Sequence, residues 1–202
     1  MNNLIFFWGI LWIYLLNVLK RNRMSAFFFI LGSIGFFFII LGLSKPYWVF
    51  LLSHIVVMGT SFFWSWTHWV QGNPMHNFLY IFDFRSSISI SIDYECSGII
   101  ESCAYVSLVI FFPAYSRKEK LLYSLIGLIW IYFTNIIRLS VVIIVVHFLG
   151  VKAFYLSHSI LGRVVFYISI LILYYKIFTY TQVTKNSIIN FKNFGKIGDI
   201  NK

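Results

Sequence analysis

Residues 26–43 read AFFFILGSIGFFFIILGL, a run without a single charged side chain. About 20 predominantly apolar residues are enough to cross the hydrocarbon core of a membrane as an α-helix. The run therefore predicts a transmembrane helix. Further apolar runs predict additional spans at about residues 4–19, 47–70, 97–114, 121–138 and 159–178. We therefore expect an all-α polytopic membrane protein with about six spans.

The composition of the whole chain agrees with this expectation. Of its 202 residues, 60% are hydrophobic and 11% are charged, whereas a soluble domain has about 45–50% apolar and about 25% charged residues. These values exclude a soluble globular enzyme, a disordered chain and a nucleic-acid-binding domain. The net charge of +10 comes from basic residues between and after apolar runs, where they flank membrane segments. We expect no nucleic-acid partner.

The chain divides into a transmembrane domain, residues 1–180, and a polar basic tail, residues 181–202. The sizeable polar connector within the domain is 71–95. Its Ile88–Asp93 segment alternates apolar and polar residues with the period of a strand, and Phe78–Phe84 is rich in aromatic residues. We predict a β-hairpin at about residues 76–95. The hairpin must lie outside the hydrocarbon, because lipid cannot form hydrogen bonds with the unpaired N–H and C=O groups of an open sheet edge.

The positive-inside rule predicts the orientation. It places the basic connector 116–120 and the tail in the cytoplasm, and the hairpin on the extracytoplasmic side. Arg138 and His158 then both reach the outer side if residues 139–157 form a re-entrant or interfacial segment. The basic stretch Lys20–Arg23 disagrees, because counting spans places it outside. Either one N-terminal segment does not cross, or the rule fails locally.

Cys96 stands in the densest polar group of the chain, Asp93-Tyr94-Glu95-Cys96-Ser97-Gly98. Polar residues at a membrane edge are costly and are functional candidates by default. A helix N-terminus stabilises a thiolate, but the neighbouring carboxylates oppose it, so a reactive Cys96 needs a positive partner. The ordinary alternative is a small buried cysteine.

Arg138 closes the segment Asn135-Ile136-Ile137-Arg138 and lies between two apolar runs. Its guanidinium stays charged and offers a rigid fork of donors, which suits an oxyanion. Asn135 shares its helix face and could orient it. The ordinary alternative is an arginine that extends its charge to the membrane surface.

His158 begins the last predicted span, where it could act as a general base or pair with a thiolate. The ordinary alternative is a polar residue at a helix start. Cys103 is about 10.5 Å further along the same helix than Cys96, too far for a disulfide, and we take it as structural. The sequence has no GxxxxGK[ST], HExxH, GxSxG or CxxC motif. We expect no cofactor and no metal.

Taken together, Glu95-Cys96-Ser97-Gly98-Ile99, Asn135-x-x-Arg138 and His158 resemble the exosortase/archaeosortase family of polytopic membrane cysteine enzymes. The motifs match the pattern of this family in residue type, order and predicted topology over about residues 75–178. The short chain looks like the exosortase G-type branch of Gram-positive bacteria. The resemblance implies a multi-pass cell-membrane protein whose active site faces the extracytoplasmic side.

The resemblance also implies an activity, that of a cysteine protease or transpeptidase. Such an enzyme cleaves the C-terminal sorting signal of an exported protein through a thioacyl intermediate. Cys96 would be the nucleophile, Arg138 would hold the oxyanion and His158 would relay the proton. Glu95, Ser97, Gly98 and Asn135 would support them. Water, a membrane lipid or a surface glycan would then accept the product.

A non-enzymatic membrane transporter, or an assembly subunit for the export of a cell-surface polymer, explains the composition and the tail equally well. It does not explain why a cysteine, an arginine and a histidine converge on one side of the membrane. Reactivity of Cys96 toward an electrophile, compared with Cys103, separates the two alternatives.

Overall fold

The computed structural model describes residues 2–44, 47–67, 69–82, 87–92, 94, 96–180 and 183. Most of the predicted tail therefore lies outside the described residues. The described chain is mostly helical and includes one small sheet, so the helical class is confirmed in outline. The helices are α1 (Asn2–Arg21), α2 (Ser25–Leu43), α3 (Tyr47–Trp64), α4 (Ile99–Phe111), α5 (Arg117–Leu149), α6 (Phe154–Leu156) and α7 (Gly162–Tyr174).

The last helix is longer than α7 alone. A π-helical turn, Ser157–Leu161, joins α6 to α7, and a second one follows α7 at Tyr175–Tyr180. Within the described residues, four helices are long and apolar enough to cross a membrane, and α4 is a shorter apolar helix. The four are Ser25–Leu43, Tyr47–Trp64, Arg117–Leu149 and Phe154–Thr179. Six spans are therefore not confirmed.

The polar connector forms a three-stranded antiparallel sheet in the order β1-β2-β3, with β1 at Val70–Asn73, β2 at Phe78–Phe82 and β3 at Ser87–Ser91. The predicted hairpin corresponds to β2 and β3. The prediction missed β1 because Val70 fell at the end of the predicted span 47–70 and residues 71–73, Gln-Gly-Asn, show no strand period. Helix α3 instead ends at Trp64, where the main chain turns and the Thr67 N–H donates to the Trp64 carbonyl at 3.1 Å.

Helix α5 runs without a break from Arg117 to Leu149. A helix of this length spans about 50 Å, more than the hydrocarbon core of about 30 Å. The predicted re-entrant or interfacial segment at 139–157 is therefore wrong over residues 139–149. This part of α5 is apolar because it packs against the sheet in one buried cluster. The cluster includes Leu139, Val142, Ile143 and Val146 of α5 with Leu79, Ile81 and Ile90 of the sheet.

Two histidines fasten the sheet to the helices. The ring Nδ1 of His54 in α3 donates to the Pro74 carbonyl at 3.0 Å, and the ring Nδ1 of His147 in α5 donates to the Phe82 carbonyl at 3.0 Å. The His147 ring also stacks on Trp69 with ring centroids 4.0 Å apart. These contacts attach the sheet and its β1–β2 connection to α3 and α5.

The contacts between helices give their directions. Helices α4 and α5 are antiparallel, because Gly98 lies against Ile131 and Asn135 while Gly127 lies against Tyr105. Helix α2 is antiparallel to α4. Phe28 and Phe29 contact Phe111 and Phe112 at one end, and residues 40–44 share an apolar cavity of about 410 Å³ with residues 99–106 at the other.

Helix α3 runs in the same direction as α5, because Gly59 lies against Tyr132 and Ile136 while the Trp64 indole N–H donates to Ser140 Oγ at 2.9 Å. Helices α2 and α3 thus both run toward the sheet and do not form an antiparallel hairpin. The Lys20–Arg23 stretch therefore lies at the same end of the bundle as Arg117–Lys120. With both basic stretches at one end, the position of Lys20–Arg23 no longer disagrees with the positive-inside rule.

Candidate active site

Cys96 lies in a tight turn that joins the sheet to α4. The Ser97 hydroxyl donates to the Tyr94 carbonyl at 3.0 Å and closes this turn. Both Cys96 and Ser97 are buried, with 8% and 3% of their surfaces exposed. Neither Cys96 nor Cys103 forms a disulfide. The turn therefore presents the Cys96 thiol toward the interior of the helical bundle.

Gly98 allows the turn to pass directly into α4. Its φ of 73° lies in the left-handed region, which costs other residues about 1–2 kcal/mol. A Cβ atom at this position would stand 2.2 Å from Nδ2 of Asn135. Asn135 itself is 1% exposed. The predicted supporting residues Gly98 and Asn135 thus pack against each other, and this contact fixes the start of α4 against α5.

Arg138 is buried within α5, with only 4% of its surface exposed. The prediction placed it at the outer end of a span, but the helix continues beyond it to Leu149. Its guanidinium donates through Nη2 to Cys96 Sγ at 3.3 Å. Its Cζ lies 5.7 Å from the centroid of the Phe166 ring, a cation–π distance. Its Nε has no hydrogen-bond partner among the described residues.

His158 lies in the π-helical turn Ser157–Leu161, a rare feature that often marks functional sites. Its Nε2 is 3.4 Å from Cys96 Sγ. Its ring stacks on Phe154, one helical turn earlier, with centroids 5.4 Å apart. The stacked ring and the π turn together fix the direction of the imidazole toward the thiol.

The three predicted catalytic residues therefore meet at one sulfur atom, although Cys96, Arg138 and His158 come from three separate elements. The thiol lies between a guanidinium, which is a permanent positive charge, and an imidazole, which takes up protons near neutral pH. A positive partner is what a reactive cysteine requires. Glu95, the other predicted supporting residue, lies outside the described residues.

Glu101 is a site residue that the sequence interpretation missed. It lines a mostly polar cavity of about 230 Å³ between α4 and α7, together with Ile100, Arg138, Arg163, Phe166 and Tyr167. A signal was present, because Glu101 is the single acidic residue in the predicted span 97–114. Ionisable residues inside membrane segments are functional candidates by default. Arg163 carries the same signal in the last span.

Tyr94 borders the turn outside the helices. Burial raises the pKa of Tyr94, with smaller contributions from Cys103 and Glu101, so its phenol stays protonated at neutral pH. Among the described residues, no group of three or more His, Cys, Asp or Glu side chains could hold a metal ion.

A comparison with known families agrees with the resemblance to the exosortases. The family model described as Transmembrane exosortase (Exosortase_EpsH) matches residues 2–175. No curated protein and no solved structure matches the chain. Because the family model covers most of the sequence, this membrane protein belongs to the transmembrane exosortase family.

Proposed function

We propose that the chain is a membrane cysteine protease or transpeptidase that cleaves the C-terminal sorting signal of an exported protein. The observation that carries the proposal is the convergence on the Cys96 sulfur. Arg138 Nη2 lies at 3.3 Å and His158 Nε2 at 3.4 Å from Sγ. An activated nucleophile and its base lie within comparable distances of each other in covalent catalysis.

The first half of the reaction forms the thioacyl intermediate. His158 Nε2 takes the thiol proton, and the thiolate, held by Arg138 Nη2, attacks the peptide carbonyl carbon. The carbonyl oxygen becomes an oxyanion. Arg138 Nε, which has no partner among the described residues, is a donor available to it. The C–N bond then breaks, and the leaving amine takes the proton from His158.

The second half releases the product. A nucleophile gives its proton to His158 and attacks the thioester, and the Cys96 thiolate leaves, again stabilised by Arg138. His158 then returns the proton to the thiolate, which restores the thiol. Water as the nucleophile completes a proteolysis, whereas an amine or hydroxyl of a membrane lipid or surface glycan completes a transfer. His158 thus serves as base and acid in turn in each half.

The proposed site faces the extracytoplasmic side. The basic stretches Lys20–Arg23 and Arg117–Lys120 lie at one end of the bundle, and the sheet and Cys96 lie toward the other. The positive-inside rule assigns the basic end to the cytoplasm, as a sorting enzyme of exported proteins requires.

The test is a processing assay in cells. The reporter is an exported protein from the same genome that ends in a short motif, an apolar span and a basic tail. We expect Cys96→Ala and Cys96→Ser to abolish its cleavage, whereas Cys103→Ser, the matched control, leaves cleavage unchanged. Undiminished cleavage by the Cys96→Ala variant would disprove this mechanism.

A chemical readout that needs no substrate complements the assay. We expect iodoacetamide to alkylate Cys96 of the purified protein much faster than Cys103, because Arg138 and His158 contact the sulfur of Cys96. Equal, slow alkylation of both cysteines would favour a transporter or an assembly subunit over an enzyme.

A further inference from the structure

Strand β3 forms an edge of the sheet, because the strand order is β1-β2-β3. Among the described residues, no strand pairs with its other side. Natural edge strands are usually protected by charged residues, proline or a bulge. The sequence of β3, Ser-Ile-Ser-Ile-Ser, has neither a charge nor a proline. An edge of this kind is suited to pair with another extended chain.

The register decides which main-chain groups face that edge. The Ile92 N–H donates to the Asn77 carbonyl at 2.9 Å, and the same register pairs Leu79 with Ile90. Successive residues of an antiparallel strand direct their N–H and C=O groups alternately to the two sides. Ile90 and Ile92 therefore bond toward β2, and the N–H and C=O of Ser89 point to the open edge.

The side chains of β3 leave this edge accessible. Ile90 and Ile92 are buried beneath the sheet, with 5% and 2% of their surfaces exposed, whereas Ser89 is exposed on the opposite face. The core therefore does not depend on the Ser89 side chain. Substitutions at this position can alter the edge without removing a core residue.

The edge also leads to the nucleophile. Four residues lie between Ser91 and Cys96, so the two are at most about 17 Å apart along an extended chain. We propose that the β3 edge binds the peptide substrate as an added strand, with Ser89 exchanging two main-chain hydrogen bonds with the extended segment beside the scissile bond. This inference rests on the proposed function of Cys96.

The chemistry of the edge indicates its ligand. Main-chain donors and acceptors at a sheet edge recognise the backbone of an extended peptide, largely independently of its side chains. The absence of charge in β3 argues against recognition of a charged motif at this strand. The ligand is therefore an extended, uncharged stretch of the sorting signal.

The decisive variant is Ser89→Pro. Proline removes the outward N–H but is tolerated on an edge strand where that N–H faces solvent. We expect the KM for a fluorescent peptide made from the reporter's C-terminal signal to rise at least about fivefold, the effect of losing about one hydrogen bond. Alkylation of Cys96 by iodoacetamide should not change.

Two controls complete the experiment. Ser89→Ala keeps the N–H and should keep the wild-type KM, whereas Ile90→Pro removes a bond to β2 and should lower the midpoint of thermal unfolding. A wild-type KM for Ser89→Pro would overturn the inference.

A second measurement uses the wild-type protein and does not depend on the folding of a variant. N-methylation of single residues in the fluorescent peptide should weaken binding at alternate positions next to the scissile bond. Uniform affinity across the N-methyl series would overturn the docking site but leave the role of Cys96 intact. Cleavage that persists in Cys96→Ala would instead reject the proposed function.

Discussion

Gly98 has a left-handed backbone conformation and lies directly against Asn135, and each of these disfavours a side chain at this position. A Gly98→Ala substitution costs about 1–2 kcal/mol for its φ of 73°, and its Cβ would meet Asn135 Nδ2 at 2.2 Å. We expect reporter cleavage to fall about tenfold or more. The midpoint of thermal unfolding of the purified protein should also decrease.

Gly42→Ala is the matched control, because a Cβ at Gly42 meets no atom within 4 Å. Adding Asn135→Ala to Gly98→Ala should relieve the collision but not the backbone strain, so stability recovers only in part. Equal stability of Gly98→Ala and Gly42→Ala would contradict the tight contact between α4 and α5.

Arg138 acts on the thiol through a planar fork of donors rather than through charge alone. In Arg138→Lys the charge remains, but the two donors at Nη2 and Nε are replaced by one ammonium group. We expect the rate of reporter cleavage to fall about 100-fold or more, the effect of removing a donor to an oxyanion.

The second arginine of the polar cavity provides the control for this prediction. Arg163→Lys should reduce cleavage far less than Arg138→Lys, because the hydrogen bond to Cys96 Sγ comes from Arg138. Full activity of Arg138→Lys would show that a point charge suffices and would exclude the donor role of Nε.

At the scale of elements, α5 has two environments along its length. Its second half packs against the sheet, so Ile143 is fully buried while the next residue, Ile144, is 40% exposed. Truncation of a buried isoleucine to alanine typically costs about 2–5 kcal/mol. We expect Ile143→Ala to lower the midpoint of thermal unfolding strongly and to make the sheet sensitive to protease.

Ile144→Ala removes the same atoms from the neighbouring position and should leave both measurements close to wild type. Similar losses for the two variants would mean that this part of α5 is surrounded evenly, as in a lipid-embedded or re-entrant helix. The sheet would then not be its cover.

The sequence predicted those elements whose signal is local. Apolar runs located the helices, and the alternation Ile88–Ile92 located β3. The extent of α5 could not be predicted in this way, because an apolar run is equally compatible with lipid and with a covering sheet. Strand β1 was hidden for a different reason, since Val70 is the one apolar residue of its Val-Gln-Gly-Asn sequence and no alternation results.

The candidate site was predicted in part for a related reason. Cys96, Arg138 and His158 are polar residues at the margins of apolar runs, where they are conspicuous. The contact of Gly98 with Asn135 and the cavity of Glu101 depend on how α4, α5 and α7 pack together. No local pattern contains that information.

At the scale of the whole molecule, the directions of the helices make a prediction about topology. Residues 22 and 118 are exposed and lie at one end of the bundle, whereas Ser89 is exposed in the sheet at the other. The experiment starts from a protein without its own cysteines, which carries Cys96→Ser and Cys103→Ser. Single cysteines are then introduced one at a time as Asn22→Cys, Lys118→Cys and Ser89→Cys.

We expect a membrane-impermeant maleimide to label intact cells only where the substitution is Ser89→Cys. Permeabilised cells provide the control that the other two cysteines are reactive. Labelling of Asn22→Cys but not Lys118→Cys in intact cells would place the two basic stretches on opposite sides. It would then contradict the common direction of α2 and α3.

The contact between Gly98 and Asn135 has an evolutionary consequence. The asparagine amide occupies the space that a Cβ at residue 98 would need, so residue 98 can acquire a side chain only where residue 135 becomes smaller. Across descendants of a common ancestor, the two sites should co-vary, with a smaller partner at 135 wherever 98 acquires a side chain. Gly98 and Asn135 would then change together during evolution, although they are far apart in the sequence.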